Sequence, residues 1–372
     1  MTTIRDVTNR IEKFAPKHLA EDWDPIGLSF GSYEKKIKKV LVALDLDKNT
    51  LEEAKEKNID FIFTHHPSIF KSLSTLNEHD SRRKDYIDLI RADIALYSAH
   101  TNVDSTVGGM NDWLAEAIGL EQPFEVLDTS YQSELKLLVL YTPLKDAKRM
   151  REVLHQAGAG QVGDYSNVSY TTNGSGHFTP EEAADPTIGE SNHAVEVEEE
   201  RVEVLFPPYL QSKIIEAIYK NHPYEEPVFH ILDIAKKDKE FGIGRIGNLK
   251  ESQTYDEMIS KVKDAFNLAH VRTTNTVVDQ AIQRVAIVGG SGEKYYKQAL
   301  NKKADLYITG DISYHGAQDM IREGLLFIDA GHFIENIFTE KMTALLNEWN
   351  KEEDWDLEII PAASQKDVFL YN

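Results

Sequence analysis

The chain predicts an α/β fold: a discontinuous α/β domain on a mostly parallel sheet, with an inserted α+β domain of ferredoxin-like order. Three observations predict it. Short apolar runs without alternation recur between helix-patterned segments near both ends of the chain, as strands covered on both faces do. The middle reads β-α-β-β-α-β. At 372 residues, 41% hydrophobic and 28% charged, the chain has room for two domains and a sizeable core.

In order, Ile4 to Phe14 has helical spacing, and Val40 to Leu44 is an apolar run ending in Asp45. A helix from Leu51 to Lys57 closes at Asn58, and Ile59 to Phe63 is the next buried strand. Tyr86 to Arg91 reads as helix and Ile94 to Ser98 as strand. The last part repeats this grammar. Val285 to Val288 ends in Gly289-Gly290-Ser291-Gly292, with a helix from Tyr295 to Asn301. Leu306 to Thr309 ends in Gly310-Asp311, Leu325 to Ile328 ends in Asp329, and Ile334 to Trp349 is the closing helix. In the middle, strands are expected at Leu135–Tyr141, Asn167–Thr172, Val202–Phe206 and Pro227–Ile234, with helices at Leu144–Ala157 and Tyr209–Asn221. Phe178 to Asn192, rich in Gly, Pro and acids, and the acidic stretch Glu196 to Glu200 separate its halves. Residues 130–240 are therefore expected to form the inserted domain. Residues 1–129 and 241–372 are expected to make one core domain on one sheet.

Composition excludes several function classes. With no cysteine there is no disulfide, no thiolate-ligated zinc and no cysteine nucleophile, which suits a reducing compartment. No apolar run has signal-peptide or membrane-span length, so a cytoplasmic protein without a membrane partner is expected. A net charge of −21 repels phosphate backbones, and nucleic acid is not an expected partner. The short basic clusters Lys35-Lys36-Ile37-Lys38-Lys39 and Lys145 to Arg151 read as solvated faces.

The chemistry lies in where polar residues fall. Ligands of open α/β sheets bind at the carboxyl ends of strands. Asp45, His65-His66, His100 with Asp104, Asp311 with His315, and His332 with Glu335 all follow predicted strands. Imidazoles and carboxylates without thiolates suit borderline-hard divalent cations, and bridging carboxylates suit two cations better than one. Pro67 biases His66 to an extended or turn conformation where the strand ends, so both histidines of the pair can reach one crevice. The plainer alternative makes one of them a packed or surface histidine. His332 and Glu335, three apart, share a helix face; a solvated face would explain the pair equally well. Asp104 either bridges cations or caps a turn. His315 and His100 are candidate proton carriers, or else structural histidines. The Gly289–Gly292 turn either presents N–H groups to an anion or is a tight strand-to-helix turn. The Asn221-to-Pro227 run is a lid or a plain loop.

These residues resemble the Nif-three-like family, whose members are often labelled GTP cyclohydrolase I type 2 homologs. The resemblance spans nearly the whole chain. It rests on Glu21-Asp22-Trp23-Asp24 with Gly27-Leu28, Thr64-His65-His66-Pro67, His100-Thr101-Asn102-Val103-Asp104, Gly174-Ser175-Gly176-His177-Phe178, His222-Pro223-Tyr224-Glu225, Gly244-Arg245-Ile246-Gly247, Val288-Gly289-Gly290-Ser291-Gly292, Thr309-Gly310-Asp311 and Gly331-His332. It implies a dinuclear centre of two divalent metals per subunit, zinc first with iron or manganese as alternatives, in a toroidal homohexamer. The implied ligands are His65, His66, Asp104, His332 and Glu335. The insert resembles small trimeric folds of the PII and CutA type. Two departures stand out: Pro25 follows Trp23-Asp24 where many members have Asn, and Glu335 lies three rather than four residues after its histidine. The second leaves Asn336 as an alternative to Glu335. The family label is not itself a reaction; a His/carboxylate pair of metals instead suits two-metal hydrolysis, and metal-dependent hydrolysis of a nucleotide or related small molecule is the function expected. The alternative is a metal-binding regulatory protein whose insert receives a ligand or partner.

Overall fold

In the computed structural model, residues 1–163, 165–275 and 280–370 are described, with the backbone alone for 131–134 and 236–239. The chain divides into two compact units, residues 1–131 with 241–372 and residues 132–240.

The larger unit opens with α1 (Ile4–Phe14), whose Thr3 and Asp6 form a reciprocal capping box. Then come β1 (Gly27–Phe30), β2 (Lys39–Ala43), α2 (Lys48–Glu56), β3 (Phe61–Thr64), α3 (Ser81–Arg91), β4 (Ala95–Ser98), α4 (Thr101–Ser105) and α5 (Met110–Ala117). β5 (Glu125–Pro143) leads into the inserted residues, which hold α6 (Leu144–Gln156), β6 (Tyr170–Phe178), β7 (Val195–Phe206) and α7 (Gln211–Asn221). β8 (Phe229–Gln253) leads out again. The chain ends with α8 (Tyr255–Ala265), β9 (Arg272–Thr273), β10 (Ile282–Ile287), α9 (Tyr296–Asn301), β11 (Leu306–Thr309), α10 (Tyr314–Arg322), β12 (Leu326–Asp329), α11 (Ile337–Glu352) and β13 (Glu358–Pro361).

The larger unit carries two sheets, which corrects the expectation of one. The first runs β1-β4-β3-β2-β13, parallel except for β1. The second, within this unit, runs β8-β10-β11-β12-β9, parallel through β10, β11 and β12. Among the described residues, only β13 crosses from the last segment to the first sheet. It was not expected, because Glu358-Ile359-Ile360-Pro361 is too short and too close to a helix to signal a strand. A common core joins the sheets: Val42, Phe61, Phe63 and Tyr97 from the first, Ile287, Ile308 and Ile328 from the second, with Trp113 and Phe338 from α5 and α11. Register is the point that matters for function. Ala43 pairs with Thr64 and Thr64 with Ser98, so the polar residues after β2, β3 and β4 leave side by side. Ile287 pairs with Ile308 and Thr309 with Asp329, which does the same for β10, β11 and β12.

In the inserted unit the strand order is β6-β7-β5-β8, the ferredoxin-like arrangement, with α6 and α7 packing Met150, Leu154, Ile214 and Ile218 on Leu138, Leu140, Val202 and Val204. The acidic stretch Glu196 to Glu200 is not a linker but the first half of β7. Its charges stay on a hairpin with water access, where an acidic strand is tolerated. No helix among the described residues is long and apolar enough to cross a membrane.

The C-terminal segment is tied to α2 by Glu53, whose carboxylate accepts from the Ala363 and Ser364 amides and from Lys57. Burial opposes its charge, but these donors outweigh burial and hold its pKa down at about 2. A depressed carboxylate pKa stabilises the fold above its unfolded value near 4.5 and loses that contribution as pH falls towards 2. Glu53→Gln should therefore cost about 1–2 kcal/mol in urea unfolding at pH 7. The gap between the two proteins should narrow as pH falls from about 4.5 towards 2; an equal gap at pH 7 and pH 3 would contradict this account.

Candidate metal centre

The ends of the parallel strands bring four histidines together, and each has one ring nitrogen already engaged. His65 follows β3 and its Nδ1 donates to the Ala99 carbonyl at 3.1 Å. His66 Nδ1 meets Asp45 after β2 at 2.9 Å, and His100 Nδ1 meets Asp24 at 3.1 Å. His332 Nδ1 meets Asp311 after β11 at 2.6 Å. Such a partner fixes the ring and leaves Nε2 as the outward donor atom, the usual preparation of a metal-ligating histidine.

Two buried atoms decide what the site is built for. His65 Nε2 and Asp104 Oδ1 have no hydrogen-bond partner and lie 3.4 Å apart. His65 is fully buried and burial holds its pKa well down, so its free Nε2 is a lone pair. A lone pair facing a carboxylate oxygen in a dry interior is costly unless a cation or a proton lies between. Burial first, and the Glu335 charge second, push Asp104 up to about 7, as a carboxyl deprived of its cation would respond. The residues thus fit a divalent metal.

Glu335 is the shared carboxylate. It is 3% exposed, and its Oε2 lies 3.0 Å from His66 Nε2 and 3.1 Å from His332 Nε2. Three ligand sets result, each with its donor atoms within 4.8 Å of one another: His66, His332 and Glu335; His65, Asp104 and Glu335; and His65, His66 and His100. Burial opposes a charge on His66, but Asp45 and Glu335 raise its pKa to about 10. The Glu335 hydrogen bond, aided by Asp311, raises that of His332 to about 9. Burial likewise opposes the charge on Glu335, yet the two histidines hold its pKa well below the usual carboxylate range. Without metal, protons occupy the places of cations.

The family model Duf34/NIF3 (NGG1p interacting factor 3) matches residues 2–367. The chain belongs to the Duf34/NIF3 family. Among relatives, the GTP cyclohydrolase 1 type 2 homolog of Bacillus subtilis is 37% identical over 367 residues, covering 99% of this chain and 98% of that one. The Bacillus cereus protein related to NIF3 superposes with a TM-score of 0.92 at 35% identity, over 100% of this chain and 99% of that one. A Staphylococcus aureus protein gives 0.80 at 28% identity with the same coverage.

Within this Duf34/NIF3 chain, the structure gathers His65, His66, His100, Asp104, His332 and Glu335 at one place. Glu335, not Asn336, faces the histidines; the Asn336 amide oxygen instead accepts from Thr339. The three-residue spacing works because His332–Asn336 is a tighter 3-10 turn before α11, not the start of the α-helix. His315 is not brought in. It is the second residue of α10, exposed, with Nδ1 on Gln318, so the proton-carrier expectation for it is set aside. The Gly289–Gly292 turn serves close packing. A Cβ at Gly289 or Gly290 would lie 2.8 or 2.7 Å from Glu335 Oε1, and the Gly289 amide is spent on Asn111. Asn111 in turn donates to the Asp104 carbonyl.

The orienting carboxylates Asp24, Asp45 and Asp311, and the buried Arg245 hub, were missed as such. Arg245 bonds Asp112 and the carbonyls of Thr106, Gly242 and Gly244, locking the loop that follows Asp104.

Since His66 and His332 hold protons in the metal-free protein at pH 8, loading a divalent metal must expel them. Calorimetric zinc titrations in buffers of different ionisation enthalpy should report release of about two protons per chain at that pH. A buffer-independent enthalpy would contradict this proton count.

Proposed function

We propose that this protein is a dinuclear metal-dependent hydrolase acting on a nucleotide or related small molecule. The observation that carries the reading is the facing pair of partnerless buried atoms, His65 Nε2 and Asp104 Oδ1, beside a carboxylate already shared between His66 and His332. One cation would be held by His66, His332 and Glu335, and a second by His65, Asp104 and Glu335. Zinc suits the donor set first, and iron or manganese also suit it. When bound, such a pair supplies Lewis acidity and acidifies water.

The protein's own groups supply the rest. His66, His332 and His100 line a cavity of about 510 Å³ with Asp104 and Glu335 at its floor. Trp23 and Phe70 stand edge-on to His100 and are half exposed, which gives a planar ring two apolar surfaces to rest on. Arg82 and Lys294 are the cationic lining residues and are exposed, placed to hold an anionic group such as phosphate. His100 is the proton carrier. Burial opposes its charge, but Asp24 and Asp104 raise its pKa above the ordinary imidazole value. With its Nδ1 held by Asp24, the ring is oriented to pass a proton to a leaving group.

A ring-shaped homohexamer belongs to the same proposal and is checked by light scattering at six times the 42.2 kDa chain mass.

The test starts with protein purified without chelators, its metal measured, then restored and screened against nucleotide, phosphoester and amide substrates. Asp104→Ala should lose metal and turnover together. His100→Gln should retain metal while turnover falls about 10²-fold or more. Metal-free protein turning over substrate as fast as the reconstituted form would end the proposal.

A further inference from the structure

Two motifs of the inserted unit have no part in the metal centre, yet both line one cavity of about 540 Å³ there. One is the Gly174-to-Phe178 run at the end of β6, the other the His222-to-Pro227 run after α7. The cavity is of the size that small-molecule sites occupy. Its walls are built, not incidental. His222 is buried, with Nε2 donating to the Tyr141 carbonyl at 3.0 Å and Nδ1 accepting from the Tyr224 amide at 3.1 Å. That brace fixes Tyr224, whose hydroxyl donates to Glu199 Oε1 at 2.8 Å and whose ring meets Phe178 at 6.0 Å. Gly176 has a specific reason to be glycine: a Cβ there would lie 2.5 Å from Glu199 Oε2, so its absence gives the carboxylate room to lie across β6. Residues 179–194 are tied to the second motif by Asp185 N to Glu225 and by Thr187 Oγ1 to the Pro223 carbonyl.

The lining sets the ligand class. Its charged members are Glu199, Glu225 and Glu226, and neither lysine nor arginine is among the described lining residues. Tyr141, Phe178 and Tyr224 add aromatic surface. Carboxylates with ring faces attract a cation and repel an anion. A metal ion is the poorer candidate, because the ligand sets found among the described residues all lie in the other unit. We propose that this cavity binds a small organic cation, an ammonium or guanidinium on an apolar body, with Glu199 as counter-ion against the Phe178 and Tyr224 rings. The site is separate from the hydrolase reading and stands without it.

Saturation-transfer NMR on the full-length protein tests it, with benzylamine as probe and benzyl alcohol and benzoate as its neutral and anionic counterparts. Benzylamine should bind about tenfold more tightly than benzyl alcohol, and benzoate should show no transfer. Glu199→Gln should weaken benzylamine about tenfold, and Ile188→Trp, which fills the cavity from its covering loop, should abolish binding. Asp104→Ala should leave it unchanged, which separates this cavity from the metal centre. Equal binding of benzylamine and benzyl alcohol, no transfer to benzylamine, or full affinity in Ile188→Trp would each overturn the proposal. Should Glu199→Gln fail to fold, Tyr224→Phe, which keeps the ring and frees the Glu199 carboxylate, takes its place and should bind benzylamine at least as tightly as the unaltered protein; a tenfold loss there would overturn the proposal.

Discussion

A buried carboxylate facing a neutral imidazole lone pair, Asp104 beside His65, together with the buried Glu335 carboxylate shared between His66 and His332, is the constraint on which the rest of the larger unit depends. Asp104 and Glu335 sit almost out of reach of water, and each faces a histidine nitrogen rather than an arginine or lysine. Burying such groups costs several kcal/mol unless opposite charge is supplied. Protons on His66 and His332 answer the Glu335 charge in the metal-free protein, whereas His65 Nε2 and Asp104 Oδ1 have no hydrogen-bond partner, an arrangement compatible with a bound cation.

That organisation begins with strand register. Parallel pairing levels the ends of β2, β3 and β4, and separately those of β10, β11 and β12, so residues leaving them meet. Asp45 thus reaches the ring of His66, and Asp311 that of His332. Asn111 then joins the Asp104 backbone to the glycine turn after β10, so the two sheets' contributions are linked by hydrogen bonds as well as by the common core. Arg245 is a buried charge at the centre of this scaffold. A guanidinium 2% exposed is held by one carboxylate and three carbonyls, and truncating it would strand Asp112 in the interior.

The α/β class and the strand-end residues were legible because an apolar run followed at once by His or Asp is a local pattern. The partners that orient the histidines were not, since Asp24 lies 76 positions from His100, and Asp45 and Asp311 each lie 21 from theirs. The same strand-end rule misdirected attention to His315. Ser313 caps α10 there, so the chain turns into a helix and carries that ring to solvent. The division of one expected sheet into two was also hidden, because apolar runs reveal strands but not which strands pair. The acidic run in β7 misled for the opposite reason: hairpin strands open to water need not look apolar.

The inserted unit follows a different physical logic. Its cavity needs no external charge to be satisfied internally, because His222 and Tyr224 are partnered within the protein. The larger unit's site, by contrast, is electrostatically incomplete on its own. Anomalous diffraction from crystals of chelator-free protein, recorded across the absorption edge of the metal it retains, tests that claim most directly. The account predicts two peaks, one among His66, His332 and Glu335 and one beside His65 and Asp104. Well-ordered crystals of protein supplied with metal that show no peak between His65 and Asp104 would contradict it.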